Sequence, residues 1–240
     1  VAKKLDYHQS VNYSQADPLK ILAQKEGLAT AGNMPFGYAE VEGTRGESAY
    51  VFKMGEQWGA FVQEGLGTKS LIAQAVYDKT GDAGGFAAVA QDTVACVIND
   101  LVSVGATPVV LNAYWSASSY QWLTDRKLAE TFIKGWRAAC DEAGVTWGGG
   151  ETQSLPGVVA EGALEFAGSG FGVIKAQKHL IQGKNLQAGD AIVLIESSGP
   201  HANGISLIRQ IADELPEGYQ TKLSNGQTLG EAALQPTHLY

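Results

Sequence analysis

Residues 91–104, QDTVACVINDLVSV, set the tightest limit on the fold. Val94, Val97, Ile98 and Leu101 recur at helical spacing, so the segment reads as a mostly buried helix. Yet Asp92 and Asn99 stand seven residues apart, on one face and two turns from each other. Cys96 and Ser103 extend that face, and Asp100 lies to its side. The polar stripe is either a solvated face or a row of oxygen ligands. Such oxygens suit Mg²⁺, which holds nucleotide phosphates through one or two carboxylates and water.

The surrounding pattern is that of an α/β chain. A helix is expected over 17–25, with Asp17 as cap, Pro18 in the first turn and Gly27 as the stop. Residues 36–48 read as loop, 49–54 and 58–63 as paired strands, and 70–77 as helix. Residues 78–90 read as a glycine-rich connector. After the 91–104 helix, Gly105 and Pro108 mark a turn and 108–115 a buried strand. Thr124 or Asp125 caps a second helix with Leu128, Phe132, Trp136 and Ala139 on one stripe, and Gly144 closes it. The segment VTWGGGET reads as a short strand entering a glycine turn, and 165–174 as another strand.

A second unit begins near residue 175. The apolar run AIVLIESS, the turn GPHANG and a helix over 205–214 make a strand–turn–helix unit. One such unit cannot cover both faces of a sheet. The expected division is therefore a first domain over 1–174 and, over 175–240, the first part of an incomplete second domain.

Composition narrows the functions. The chain has 240 residues, 18% charged, and a net charge of −8. Nucleic acid and anionic membrane are poor partners for such a surface, because phosphate contacts need clustered Lys and Arg. No apolar run reaches the roughly 20 residues of a membrane helix. The first ten residues lack a signal-peptide core, so a cytoplasmic protein is expected. Cys96 and Cys140 read as reduced, buried thiols rather than zinc ligands.

Three further segments carry candidate chemistry. In EGLGTK (64–69), Gly65 and Gly67 let backbone approach a ligand, and Lys69 offers a charge suited to phosphate; a plain glycine turn is the alternative. In GGGETQSLPG (148–157), three glycines suggest a close approach, Glu151 a metal ligand and Thr152 a phosphate contact; a tight turn with a surface glutamate is the alternative. In SSGPHANG (197–204), His201 sits in a constrained turn after a strand, where α/β folds place ligands, and titrates near neutral pH. Most lone histidines are inert, and that alternative stands too.

Taken together, the segments resemble the aminoimidazole ribonucleotide synthetase (phosphoribosylformylglycinamidine cyclo-ligase) family. The family reads approximately DGVGTK, IDxVAMCVNDxxxxGAxP, GGETAEMPG and GSSGxHSNGxSLVR. This chain reads EGLGTK, QDTVACVINDLVSVGATP, GGETQSLPG and ESSGPHANGISLIR in the same order, and its ALQPTHLY is similar to the family's LLxPTRIY.

The resemblance implies a two-domain ATP-binding superfamily fold, of α+β character in the first domain, and a homodimer formed through the first-domain sheets. It also implies a reaction. ATP and Mg²⁺ activate the formyl amide oxygen of formylglycinamidine ribonucleotide as a phosphoryl imidate, the neighbouring amine closes the ring, and ADP and phosphate leave.

Carried onto this chain, Glu64, Asp92 and Glu151 would hold metal. Gly65, Gly67, Thr68, Lys69, Asp92, Asn99, Asp100, Thr152 and Asn203 would contact nucleotide or ligand. Lys69 and His201 would act in the chemistry. The family's first aspartate is Glu64 here, one methylene longer. Two other readings stay open: a superfamily enzyme with another substrate, and a non-catalytic nucleotide-binding or dimerisation module.

Overall fold

The computed structural model describes residues 12–240. Residues 1–11, including those read above as lacking a signal-peptide core, lie outside that range.

One six-stranded mixed sheet carries the fold, in the order β1-β2-β3-β6-β4-β5. Its strands are β1 (Tyr38–Glu40), β2 (Tyr50–Met54), β3 (Gln57–Gly65), β4 (Thr107–Ala117), β5 (Thr146–Ser154) and β6 (Leu164–Ile174). All neighbours are antiparallel except β4 and β5. That parallel pair is joined by the short α4 (Tyr120–Thr124) and the long α5 (Arg126–Ala143), because parallel neighbours need a crossover. α2 (Lys69–Thr80) follows β3, and α3 (Gly84–Ser103) runs into β4.

Helices α3 and α5 cover one face of the sheet. Alternation along the strands decides which side chains meet them. Val62 of β3, Phe166 of β6 and Leu111 and Trp115 of β4 point inward; Trp115 packs edge-on against Phe132 and Trp136 of α5. Glycines on β6 let α3 settle close. A Cβ at Gly170 would lie 2.5 Å from Val97 Cγ1. α5 begins and ends as its sequence dictates: the Asp125 carboxylate accepts from Leu128 N at 3.2 Å, and Gly144 takes a left-handed φ of +64°.

Several elements depart from the sequence reading. α1 (Tyr13–Ala29) starts before Asp17 and carries Pro18 inside it. A short strand, β1, lies within 36–48. α3 starts at Gly84, so most of the expected connector is helix. Asp82 Oδ1 accepts from Gly84 N at 2.9 Å, and the fully buried Phe86 and Val89 extend the apolar stripe backwards past the glycines. α3 is also long and apolar enough to span a membrane by length and composition, against the expectation that no run would be. Here it is the core helix, packed on β3, β6 and α5.

The triple glycine makes no turn: β5 continues through it, with a bulge against β4 at Gly148 and a φ of +145° at Gly149. A Cβ at Gly150 would lie 2.2 Å from Ala113 O and one at Gly148 2.8 Å from Val110 Cγ2, so the close approach at these two glycines is to the neighbouring strand β4, while Gly149 faces open space. Residues 191–198 form no strand. Ile192, Val193, Leu194 and Ile195 are between 71% and 89% exposed, and no described strand lies alongside to supply a ladder.

The rest of the second segment folds back onto the first. α6 (Ile205–Glu214) matches the expected helix. α7 (Leu229–Ala233) is held by a capping box between Thr228 and Glu231. Ile205, Ala233 and Leu234 join the same buried cluster as α3.

Candidate functional site

The site forms where β3 ends and α2 begins, under the polar face of α3. Even-numbered residues of β3 face the helices, so Glu64 points towards α3, where it meets Asp100. The two carboxyls are near enough for each to act on the other's proton affinity. Burial lifts both above the ordinary carboxylate range, and the Asp100 charge lifts Glu64 further. This is a pair of acids pressed together at the edge of the core. Beside it, burial and the charges of Asp92, Glu64 and Asp100 push the Cys96 thiol up to about 12.

One turn of EGLGTK further on, Lys69 turns under the same helix. It is fully buried and lies 2.8 Å from the equally buried Asp92 carboxylate. Lys69 Nζ also donates to Gln235 O at 2.9 Å. The other Asp92 oxygen accepts from Thr237 N at 2.8 Å and from Thr237 Oγ1 at 2.5 Å. Burial draws Lys69 down and Asp92 up, and their contact opposes both shifts. Every charge in this network has a partner inside the protein. Neither Lys69 nor Asp92 is open to a ligand in this arrangement.

Further along α3, Asn99 is engaged as well. Its Nδ2 donates to His238 O at 2.9 Å, and its Oδ1 accepts from Tyr240 N at 3.0 Å. The face read as a nucleotide stripe is therefore lined by the chain's own residues 235–240. His201 stands against that segment, its ring centroid 6.4 Å from that of His238 and 6.2 Å from that of Tyr240. Its Nε2 is 3.1 Å from Ser197 Oγ. Asn203 is exposed on the same turn.

The remaining candidates lie elsewhere. The register pairs Glu151 with Tyr114, while the next residue, Trp115, packs on α5. Glu151 thus faces away from α3. It also sits three strands across from Glu64, roughly 14 Å at the usual strand spacing. Glu151 cannot share an ion with Glu64 and Asp92, which corrects that expected metal set. Thr152 lies on the exposed edge strand. Gly67 and Thr68 turn to the other side, where they line a cavity of about 400 Å³ with Tyr114, Ser116 and Glu165. Gly65, last in β3, is beside Glu165 on that same face. A larger cavity of about 710 Å³, walled by Tyr77, Trp122, Asp125 and Glu161, holds none of the expected residues.

Among the described residues, no group of three or more His, Cys, Asp or Glu is arranged to hold a metal ion. The two-acid pair Glu64–Asp100 is what remains. Asp100 stood to the side of the stripe in the sequence reading; its partner on β3 left no local signal. Thr237 and Ser197 were not singled out at all.

The family model described as AIR synthase related protein, N-terminal domain, matches residues 46–174. The chain belongs to this family. Phosphoribosylformylglycinamidine cyclo-ligase of Carboxydothermus hydrogenoformans is 38% identical over 179 residues, 74% of this chain and 49% of that protein. The enzyme of the same name from Methanobrevibacter smithii is 33% identical over 207 residues, 85% of this chain and 56% of that protein. Trifunctional purine biosynthetic protein adenosine-3 of Gallus gallus is 35% identical over 179 residues, 74% of this chain and 17% of that protein. The chain spans about half the length of the curated cyclo-ligases it matches. The resemblance read from four motifs is thus borne out. Within the AIR synthase-related region lie Glu64, Lys69, Asp92, Asp100 and Glu151; His201, Asn203 and the 235–240 segment lie beyond it.

Proposed function

We propose that this chain is the ATP-handling part of an aminoimidazole ribonucleotide synthetase. The reaction is the ATP-dependent closure of formylglycinamidine ribonucleotide to aminoimidazole ribonucleotide, with release of ADP and phosphate, in de novo purine biosynthesis. We read the enzyme as cytoplasmic. Membership of the family supports this reading, and the observation that carries it is the Glu64–Asp100 pair.

Two carboxyls forced together are relieved by a divalent cation, and Mg²⁺ is commonly held by one or two carboxylates with water and phosphate oxygens. The hard oxygen donors of Glu64 and Asp100 fit that ion. Bound there, Mg²⁺ would neutralise charge on the phosphates of ATP. The extra methylene of Glu64 extends its carboxyl from the strand to Asp100.

Lys69 serves by anchoring Asp92 and the start of α2, with its charge already matched. His201, half-buried beside Ser197, holds or passes a proton, or contacts a substrate phosphate, and the exposed Asn203 orients a polar group of the ligand. The open sheet face supports a homodimer: Tyr50, Phe52, Phe61 and Phe171 form an aromatic row there, and Phe61 is 46% exposed.

ADP release measured with and without formylglycinamidine ribonucleotide tests the proposal. Release that depends on this substrate is expected. ATP turnover only with another acceptor would reassign the substrate, and nucleotide binding without turnover would make the chain a binding module.

A further inference from the structure

Residues 235–240 dock on α3 without forming a helix or strand of their own. Besides the Asp92 and Asn99 contacts, Gln91 Nε2 donates to Thr237 O at 2.9 Å. Asn99 grips a C=O and an N–H two residues apart, as a neighbouring strand does. Thr237 is the residue of the segment whose side chain hydrogen-bonds to α3, and it is 5% exposed.

The segment's other side holds the 197–204 turn. Ser198 Oγ donates to Pro236 O at 2.7 Å, and the rings of His238 and Tyr240 flank His201. His201 is the only described non-glycine residue with positive φ, at +54°. A left-handed residue of this kind is strained and persists only where its surroundings hold it. The surroundings here are Ser197 and the docked segment.

We propose that residues 235–240 are a positioning strap, docked on α3 through Asp92 and Asn99, and that Thr237 is the positioning residue that fixes His201 beside the helix face carrying Asp92 and Asn99. The importance of His201 to chemistry rests on the ligase reading; the docking itself does not.

The test needs neither nucleotide nor substrate, so its failure and the failure of the ligase reading are distinguishable. In the full chain, amide exchange is followed at 235–240 and 197–204, together with the ring signals of His201. Thr237→Val keeps the volume and removes the hydroxyl bond to a buried carboxylate. It should speed exchange in both segments by roughly tenfold and shift the His201 ring signals, with the protection of β6 unchanged. Thr237→Ser should restore both readouts. Asn99→Ala, on the less buried end of the strap, gives the same result independently of Thr237→Val folding. Faster exchange at 235–240 with His201 signals and the 197–204 turn unmoved would overturn the proposal. Exchange at 235–240 in the unaltered protein as fast as in a free peptide would overturn it as well.

Discussion

The carboxyl of Glu64, at the end of β3, interacts with that of Asp100 on α3, and burial holds both above the ordinary carboxylate range. Folding therefore raises the proton affinity of both groups. The folded state binds more protons than the unfolded one, so this pair's contribution to stability falls as pH rises above the usual carboxylate values. Glu64→Gln removes the repulsion. It should raise the melting temperature at pH 8 and change it little at pH 4. Differential scanning calorimetry at the two pH values checks this; a lower melting temperature at pH 8 would mean that the two acids do not oppose each other.

Asp92→Ala should behave as a folding mutation. It leaves the fully buried Lys69 without its counter-charge and frees Thr237. Removing one partner of such a pair costs about 3–5 kcal/mol. A Lys69→Met/Asp92→Leu double variant should recover much of that loss in urea titrations, because an apolar pair of similar size replaces the charges. A double variant no more stable than Asp92→Ala would contradict the buried-pair account.

Gly135→Ala on α5 should destabilise, although alanine is the better helix former by about 1 kcal/mol. Its Cβ would lie 2.6 Å from Ala87 Cα and 2.8 Å from Ala87 O, and backbone cannot step aside as a side chain can. Overpacking of this kind costs about 1–3 kcal/mol, so the net change in urea midpoint should be a loss.

Both cysteines should be inert to iodoacetamide in the folded protein at pH 8. Burial and nearby carboxylates raise Cys96 to about 12, and burial with Asp141 raises Cys140 to about 11, so little thiolate exists at either. Mass spectrometry should find alkylation only after denaturant is added.

The sequence revealed most where local chemistry and periodicity agreed. α5 announced itself through Asp125, its apolar stripe and Gly144; β4 and β6 did so through their apolar runs. Glycine was the ambiguous letter. In 78–90 it suggested a connector, but tertiary burial of Phe86 and Val89 overrode the backbone cost and made helix. In 148–150 it suggested a ligand turn, whereas the missing side chains of Gly148 and Gly150 make room for β4. The apolar run 191–198 carried a strand's composition without a neighbour among the described residues to complete one. Nor could any local pattern record that Thr237 would meet Asp92 from 145 residues away, or that Glu64 and Asp100 would face each other while Glu151 faced the opposite side.

Titration calorimetry with Mg²⁺ and a non-hydrolysable ATP analogue tests the central claim most directly, comparing the unaltered chain with Glu64→Gln/Asp100→Asn. The account predicts Mg²⁺-dependent nucleotide binding that weakens by roughly tenfold or more in the double variant, with its melting temperature no lower than that of the unaltered chain. Equal affinity in the two proteins would contradict it.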